Sequence, residues 1–214
     1  MKKAVFILLL AVSVCFMLSA AAVSETNGRI KIKVLILPKL ETDMMFGDFP
    51  GEAPLYYESY LAGGEEYDIK GGYEGEKLYV RDGVALYITG IGKVNAAVST
   101  FAVLSDDRFD FSDAYVISTG CGGSATELSV MGDVAIGLVL KRLGMLNRYI
   151  IIRASVNMDV YMAGTTPESL WLEGSAANLE SESNVEAADI FPISMENNFK
   201  VGKVIIDAIL RGQI

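Results

Sequence analysis

Histidine is missing from all 214 residues. Its absence excludes Ser-His-Asp nucleophilic catalysis, imidazole acid–base chemistry and histidine-based metal sites within this chain. Cysteine is almost missing as well, with only Cys15 and Cys121, and Cys15 lies in the apolar N-terminal run. Once that run is set aside, Cys121 stands alone and makes neither an intramolecular disulfide nor a thiolate metal cluster. Lacking an activating neighbour in the sequence, Cys121 reads as a small residue in a tight turn. Positive charge is in deficit: 18 Lys+Arg against 27 Asp+Glu leave a net charge of −9. Such a surface repels polyphosphate, so nucleic acid is not an expected partner. Long apolar runs are also missing beyond the N-terminus. Residues 149–152 and 204–209 are apolar but short, and charges bound them, so neither has the length of a membrane span.

The N-terminus is the exception. Met1-Lys2-Lys3 is basic, residues 4–19 are apolar, and Ala20-Ala21-Ala22 fits a small-residue cleavage pattern. Residues 1–22 therefore read as a secretory signal peptide, which predicts an exported protein, periplasmic or extracellular. The competing reading is an uncleaved membrane anchor, because residues 4–23 are nearly long enough to cross a bilayer. Removing residues 1–22 takes Lys2 and Lys3 and no acid, which makes the balance two charges more negative. One domain over residues 30–212 is then expected from the length.

Residues 30–37 (IKIKVLIL) alternate and then become continuously apolar, as a strand entering a buried parallel sheet does. Residues 77–80 and 84–89 flank Asp82-Gly83, a hairpin signal. Further strands are predicted over 114–118, 130–136 and 148–155, with helices over 95–104 and 189–210 and a helix beginning within 165–172. Residues 55–61 (LYYESYL) read as a helix start or a lining loop, 63–75 as exposed turns, and 174–183 as a linker. Alternation of strands and helices gives an α/β class with a mixed, mostly parallel sheet.

Residues 84–137 hold the chemistry. Two apolar strands, 84–89 and 114–118, each run into a glycine-bearing turn: Thr89-Gly90-Ile91-Gly92-Lys93-Val94-Asn95 and Thr119-Gly120-Cys121-Gly122-Gly123. Glycine-rich turns at strand ends let backbone N–H groups approach a small ligand, and ligands of open α/β sheets sit at those carboxyl ends. The spacing around Lys93 is neither a Walker loop nor a dinucleotide fingerprint.

Taken in order, TGIGKVNAA, an apolar strand ending in STGCGG, and then MGDVAI resemble the nucleoside phosphorylase superfamily, and within it the purine nucleoside permease family. Ile152-Arg153-Ala154-Ser155-Val156-Asn157-Met158-Asp159, the turn Gly164-Thr165-Thr166-Pro167, and Met195-Glu196-Asn197-Asn198-Phe199-Lys200-Val201-Gly202 add to the likeness. It extends over most of residues 31–137 and 149–212. The resemblance implies a three-layer α/β/α fold holding a purine nucleoside at its strand ends. It implies no cofactor, with phosphate as a potential co-substrate, and no metal.

The same resemblance places Thr119, Gly120, Cys121, Gly122 and Gly123 beside sugar and base, and Thr89, Gly90, Gly92 and Asn95 at the site's edge. Asn157, with Asp159 as the alternative, takes the position facing the base's N7, where a catalytic donor would act. Asn157 read by itself is equally a strand-end turn residue, and Asp133 orders a turn. Glu41 and Asp43 follow the first strand, either towards the ligand or in a solvated loop. The family's long central segment, with its Met-Glu phrase for the ribose hydroxyls, has no counterpart here, an apparent internal deletion near 137–145. Three readings follow: an exported purine-nucleoside-binding protein that assists uptake, an enzyme cleaving the N-glycosidic bond by phosphate or water, or a remnant of such a protein. A homo-oligomer is compatible with each, and contact with a membrane would come only through an uncleaved N-terminus.

Overall fold

The structure, a computed structural model, describes residues 28–39, 51–124, 131–158 and 185–214; for 121–124, 131–134, 155–158 and 185–191 it describes the backbone only. The expected signal peptide, the helix start within 165–172, the linker, Glu41, Asp43 and Asp159 lie outside these residues.

Six strands form the main sheet, in the order β3-β4-β5-β2-β7-β9. They are β2 (Val34–Leu37), β3 (Glu65–Asp68), β4 (Lys77–Arg81), β5 (Val84–Tyr87), β7 (Tyr115–Ser118) and β9 (Tyr149–Ile151). β5, β2, β7 and β9 run parallel, while β4 is antiparallel to both β5 and β3. The sheet is thus mixed and mostly parallel. β2 has all four residues at 0% exposure, because sequence-adjacent side chains point to opposite faces and both faces are covered. Leu35, Leu37, Ala85, Tyr87 and Val116 pack on one face against helices α2 (Lys93–Leu104) and α3 (Met131–Arg142). Val34, Ile36, Val84, Leu86 and Ile117 pack on the other against α1 (Pro54–Tyr60) and α4 (Val185–Leu210). Three layers, α/β/α, result.

Asp82 (φ 50°) and Gly83 (φ 81°) make the β4–β5 turn, the doubly positive φ pattern that matches strand twist in a two-residue hairpin. The first expected strand divides in two. β1 (Ile30–Lys31) pairs in parallel with β6 (Phe109–Asp110), and β2 joins the main sheet. Residues 63–75 are not all turn, since the charged edge strand β3 lies within them, and its acids discourage pairing with another chain.

Residues 130–136 are not a strand: 131–142 form α3. The apolar run continues through Leu138, Val139 and Leu140, too long for one strand, and among the described side chains Ile136 and Leu140, four apart, are at 0% exposure. α3 and the short 3-10 helix Leu146–Arg148 carry the chain from β7 to its parallel neighbour β9, a connection that parallel strands require. Cys121-Gly122-Gly123 is likewise not a turn. Residues 121–124 form β8 (Cys121–Ser124), parallel to β10 (Ala154–Met158).

Candidate functional site at the strand ends

β2 lies between β5 and β7, so the carboxyl ends of these three strands are neighbours. At strand spacing, the ends of β5 and β7 stand about 10 Å apart across the end of β2. Thr89 N–H donates to Pro38 O at 3.0 Å, and Thr119 N–H to Leu37 O at 3.2 Å. The chain leaves β2 towards α1 on one face and leaves β5 towards α2 on the other. In open α/β sheets such a divergence marks the edge at which ligands bind.

Beyond β7 the sheet kinks. Ile152 N–H donates to Ser118 O (2.9 Å) and Ala154 N–H to Gly120 O (3.1 Å). β8 and β10 therefore continue the β7–β9 pair past a bend at Thr119-Gly120 and Ile152-Arg153. Gly120 has φ 127°, and a Cβ on it would lie 2.2 Å from the Glu52 carboxylate, so no other residue fits here. Asn198 of α4 clips the bend. Its Nδ2 donates to Gly120 O (3.2 Å) and Ile152 O (3.1 Å). Its Oδ1 accepts from Tyr56 Oη (2.9 Å) and from Thr119 Oγ1. Asn198 is 4% exposed, so this amide is satisfied entirely from within the protein.

Two charged side chains are buried at the end of β2. Lys39 Nζ donates to Ser118 Oγ at 2.7 Å, and Lys39 N–H donates to Glu52 Oε2 at 2.8 Å. The Arg153 guanidinium donates to Thr119 O at 3.3 Å. Burial pushes the Tyr56 phenol up to about 12, which keeps it a neutral donor at every physiological pH.

The structure brings Thr89, Gly90, Gly92 and Asn95 together at the end of β5 and the start of α2, and Thr119 and Gly120 at the end of β7. The hydroxyls of both threonines are used internally: Thr89 Oγ1 donates to Pro38 O (3.3 Å), and Thr119 Oγ1 bonds Tyr56 and Asn198. Asn95 Nδ2 turns back to Ile91 O at 2.9 Å, bracing the loop. Gly90 is buried with φ 75°, and a Cβ there would meet the Tyr73 ring at 2.6 Å. Cys121, Gly122 and Gly123 lie in β8, and Asn157 pairs with Gly123 across an irregularity in the ladder. No side chain caps α2, and its first turn holds no acid, so neither competes for the first N–H groups, the kind of donors that suit an anion or a ligand oxygen. Among the described residues no group of three or more Cys, Asp or Glu could hold a metal ion.

Tyr56, Tyr57 and Tyr60 all pack. Tyr56 stands edge-on to Phe199, Tyr57 edge-on to Tyr79, and the Tyr60 hydroxyl donates to Asp207 at 2.8 Å. Sequence reasoning did not single out Lys39, Glu52 or Asn198 as site residues. The only signals were a lysine two residues after the end of an apolar strand and the Met195–Gly202 phrase.

Among solved structures the chain is similar to several 5′-methylthioadenosine/S-adenosylhomocysteine nucleosidases, three of which follow. The protein from Neisseria meningitidis, in complex with methylthio-immucillin-A, is 25% identical over 46% of this chain and 37% of that one, with a TM-score of 0.30. The protein from Helicobacter pylori, in complex with a substituted pyrrolidinol, is 12% identical over 84% and 99%, with a TM-score of 0.42. The protein from Colwellia psychrerythraea 34H, in complex with adenine, is 16% identical over 76% and 70%, with a TM-score of 0.30. No curated protein matches the sequence. The profile of the family described as purine nucleoside permease (NUP) matches residues 31–141, a stretch that spans just over half the chain and includes β2, β5, β7, α2 and all but the last residue of α3. The chain belongs to the purine nucleoside permease family.

Proposed function

We propose that this protein binds a purine nucleoside at the carboxyl ends of β2, β5 and β7 and, as an exported protein, assists nucleoside uptake by binding and delivery. The observation that carries the reading is that the residues matched by the family profile, 31–141, contain all three strand ends. Two features support it. The three strand ends lie where ligands of open α/β sheets lie. The uncapped start of α2 offers N–H donors to a nucleoside oxygen or to a phosphate. Asn157, on β10 beside Gly123, is the proposed partner of the base, with Asp159 as its alternative.

Isothermal titration with adenosine, guanosine and inosine tests the proposal. Saturable heat with at least one of them is expected, and its loss in Gly90→Ala, where a Cβ would strike Tyr73. Absence of heat with all three overturns it. Incubation with nucleoside, with and without phosphate, separates binding from cleavage: intact nucleoside fits delivery, and free base assigns the site to N-glycosidic cleavage instead.

A further inference from the structure

We infer that Tyr73, on the loop between β3 and β4, is the side chain against which the base of the bound nucleoside stacks, and that it sets the preference for a purine over a pyrimidine. The inference rests on the nucleoside-binding reading of the strand ends and adds a side chain to that site. Strand direction puts Tyr73 on the same edge. β3 and β5 are each antiparallel to β4, so they run the same way. The loop that leaves the carboxyl end of β3 therefore stands at the carboxyl edge of the sheet, beside the turn that leaves β5. A Cβ on Gly90 would lie 2.6 Å from Cδ2 and Cε2 of Tyr73 and 2.8 Å from its Cζ, so the ring rests directly on the Gly90 backbone. Glycine is required in this turn both by φ 75° and by that ring.

The loop's backbone is fixed, while the polar tip of its aromatic side chain is not used by the fold. Tyr73 O accepts from Tyr87 Oη at 3.3 Å and from Glu76 N–H at 3.2 Å, and Gly72 N–H donates to Ile69 O at 3.1 Å. The Tyr73 ring packs on the core cluster beneath it, yet the residue is only half-buried. Among the described residues no hydrogen bond engages its hydroxyl. Tyr56 and Tyr60 differ, because their hydroxyls bond Asn198 and Asp207. A tyrosine ring supported from behind and half open offers a large contact at little loss of side-chain freedom. Stacking on it is sequence-tolerant but scales with the face presented, so a purine gains more than a pyrimidine.

Glu52 is likewise seated on a turn glycine, Gly120. It is 6% exposed and its carboxylate accepts the Lys39 amide, so it is committed to the fold in a way that the Tyr73 ring is not.

Titration calorimetry with adenosine and uridine on the full chain tests the inference, with urea midpoints to show that each variant is folded. The unaltered protein is expected to bind adenosine more tightly than uridine. Tyr73→Leu keeps apolar bulk over Gly90 but removes the π-face. It should weaken adenosine by about fivefold or more, the low end for losing one base–aromatic contact, and narrow the preference over uridine. Tyr73→Phe, which keeps the ring, should recover most of that loss. Proton NMR gives a second readout: the base resonances of adenosine should shift upfield on binding, through the ring current of Tyr73, and not with Tyr73→Leu. Unchanged affinity and preference in folded Tyr73→Leu overturn the inference and leave nucleoside binding standing. So does an equal loss for both nucleosides, which is what a displaced loop would give. Absence of the upfield shift with the unaltered protein overturns it even where Tyr73→Leu does not fold. If the unaltered protein binds no nucleoside at all, the binding reading itself falls and takes this inference with it.

Discussion

Replacing Asn198 by alanine measures what holds the kinked strand ends to α4. Four hydrogen bonds disappear: two donated to Gly120 O and Ile152 O, and two accepted from Tyr56 and Thr119. The losses are not equal. Gly120 O keeps the Ala154 amide at 3.1 Å, and Thr119 Oγ1 still reaches Tyr56 Oη at 3.2 Å. The Ile152 carbonyl is the group that loses its donor inside the protein. An orphaned buried carbonyl costs about 1–3 kcal/mol, and the amide's removal adds a small cavity, so Asn198→Ala is expected to cost about 2–4 kcal/mol. That is a large part of a typical domain's stability. Urea unfolding followed by circular dichroism reads it as a lower midpoint at unchanged slope.

Asn198→Asp sharpens the test without making a cavity. A carboxylate turns two donors into acceptors facing two carbonyl oxygens, so its folded pKa must rise above the unfolded value of about 3.9. The folded state then holds a proton that the unfolded state releases. The penalty therefore grows as pH rises from about 4 through the folded pKa, and it shrinks again in acid. A cost within about 0.5 kcal/mol for Asn198→Ala, or a pH-independent gap for Asn198→Asp, would refute the clip.

Gly120→Ala should destabilise by more than about 2 kcal/mol, because it combines φ 127° with a Cβ 2.2 Å from the Glu52 carboxylate. Adding Glu52→Ala should recover the steric part but not the backbone part, which denaturant midpoints of the single and double variants resolve. At alkaline pH, burial first of all holds the Tyr56 and Tyr87 phenols up at about 12, while unfolded tyrosine titrates near 10. The folded state then binds more protons than the unfolded one, so stability falls between about pH 10 and 12. The slope for Tyr56 is at most about 1.4 kcal/mol per pH unit, and Tyr87, with a part-buried hydroxyl, adds less. Unfolding free energies measured from pH 9 to 11 should show this decline, and Tyr56→Phe should flatten it.

β2, the Asp82-Gly83 hairpin and α2 were legible in the sequence because each is set by neighbours in the chain: a run covered on both faces, a turn dipeptide, a helical spacing. α3 was not. GDVAIGLVLK satisfies strand and helix patterns alike over any short window, and only the covered face of α2 decides between them. The bend at Gly120 was hidden for a different reason. β7 and β8 read as one strand and a turn, and what makes them a kinked pair is Asn198, far along the chain. The Met195–Gly202 phrase carried that residue as a resemblance without a role. Lys39 and Glu52 were missed because their burial is a property of the assembled sheet edge, not of their local sequence.

Thr119 shows how a residue can stand at the site without serving the ligand. Its position at the end of β7 makes it a natural partner for a sugar hydroxyl. Yet Thr119 is 0% exposed, and its hydroxyl is committed to Asn198 and Tyr56. Thr119→Val keeps the branched shape and removes only that hydroxyl. Tyr56 Oη still donates to Asn198 Oδ1 at 2.9 Å, so no polar atom is left alone and the cost should be about 1 kcal/mol. If the proposed nucleoside site recognises its ligand through backbone donors, the folded Thr119→Val protein should bind nucleoside within about threefold of the unaltered protein. A hydroxyl that contacted the sugar would be worth more than that. Truncating a neutral hydrogen bond to a ligand costs about 0.5–1.5 kcal/mol, and leaving the ligand's buried hydroxyl unpaired adds about 1–3 kcal/mol. Together these lower affinity by more than about tenfold. Titration calorimetry on the two proteins separates these outcomes, and a loss of that size with stability nearly intact would show that the Thr119 hydroxyl turns to the ligand when one is bound.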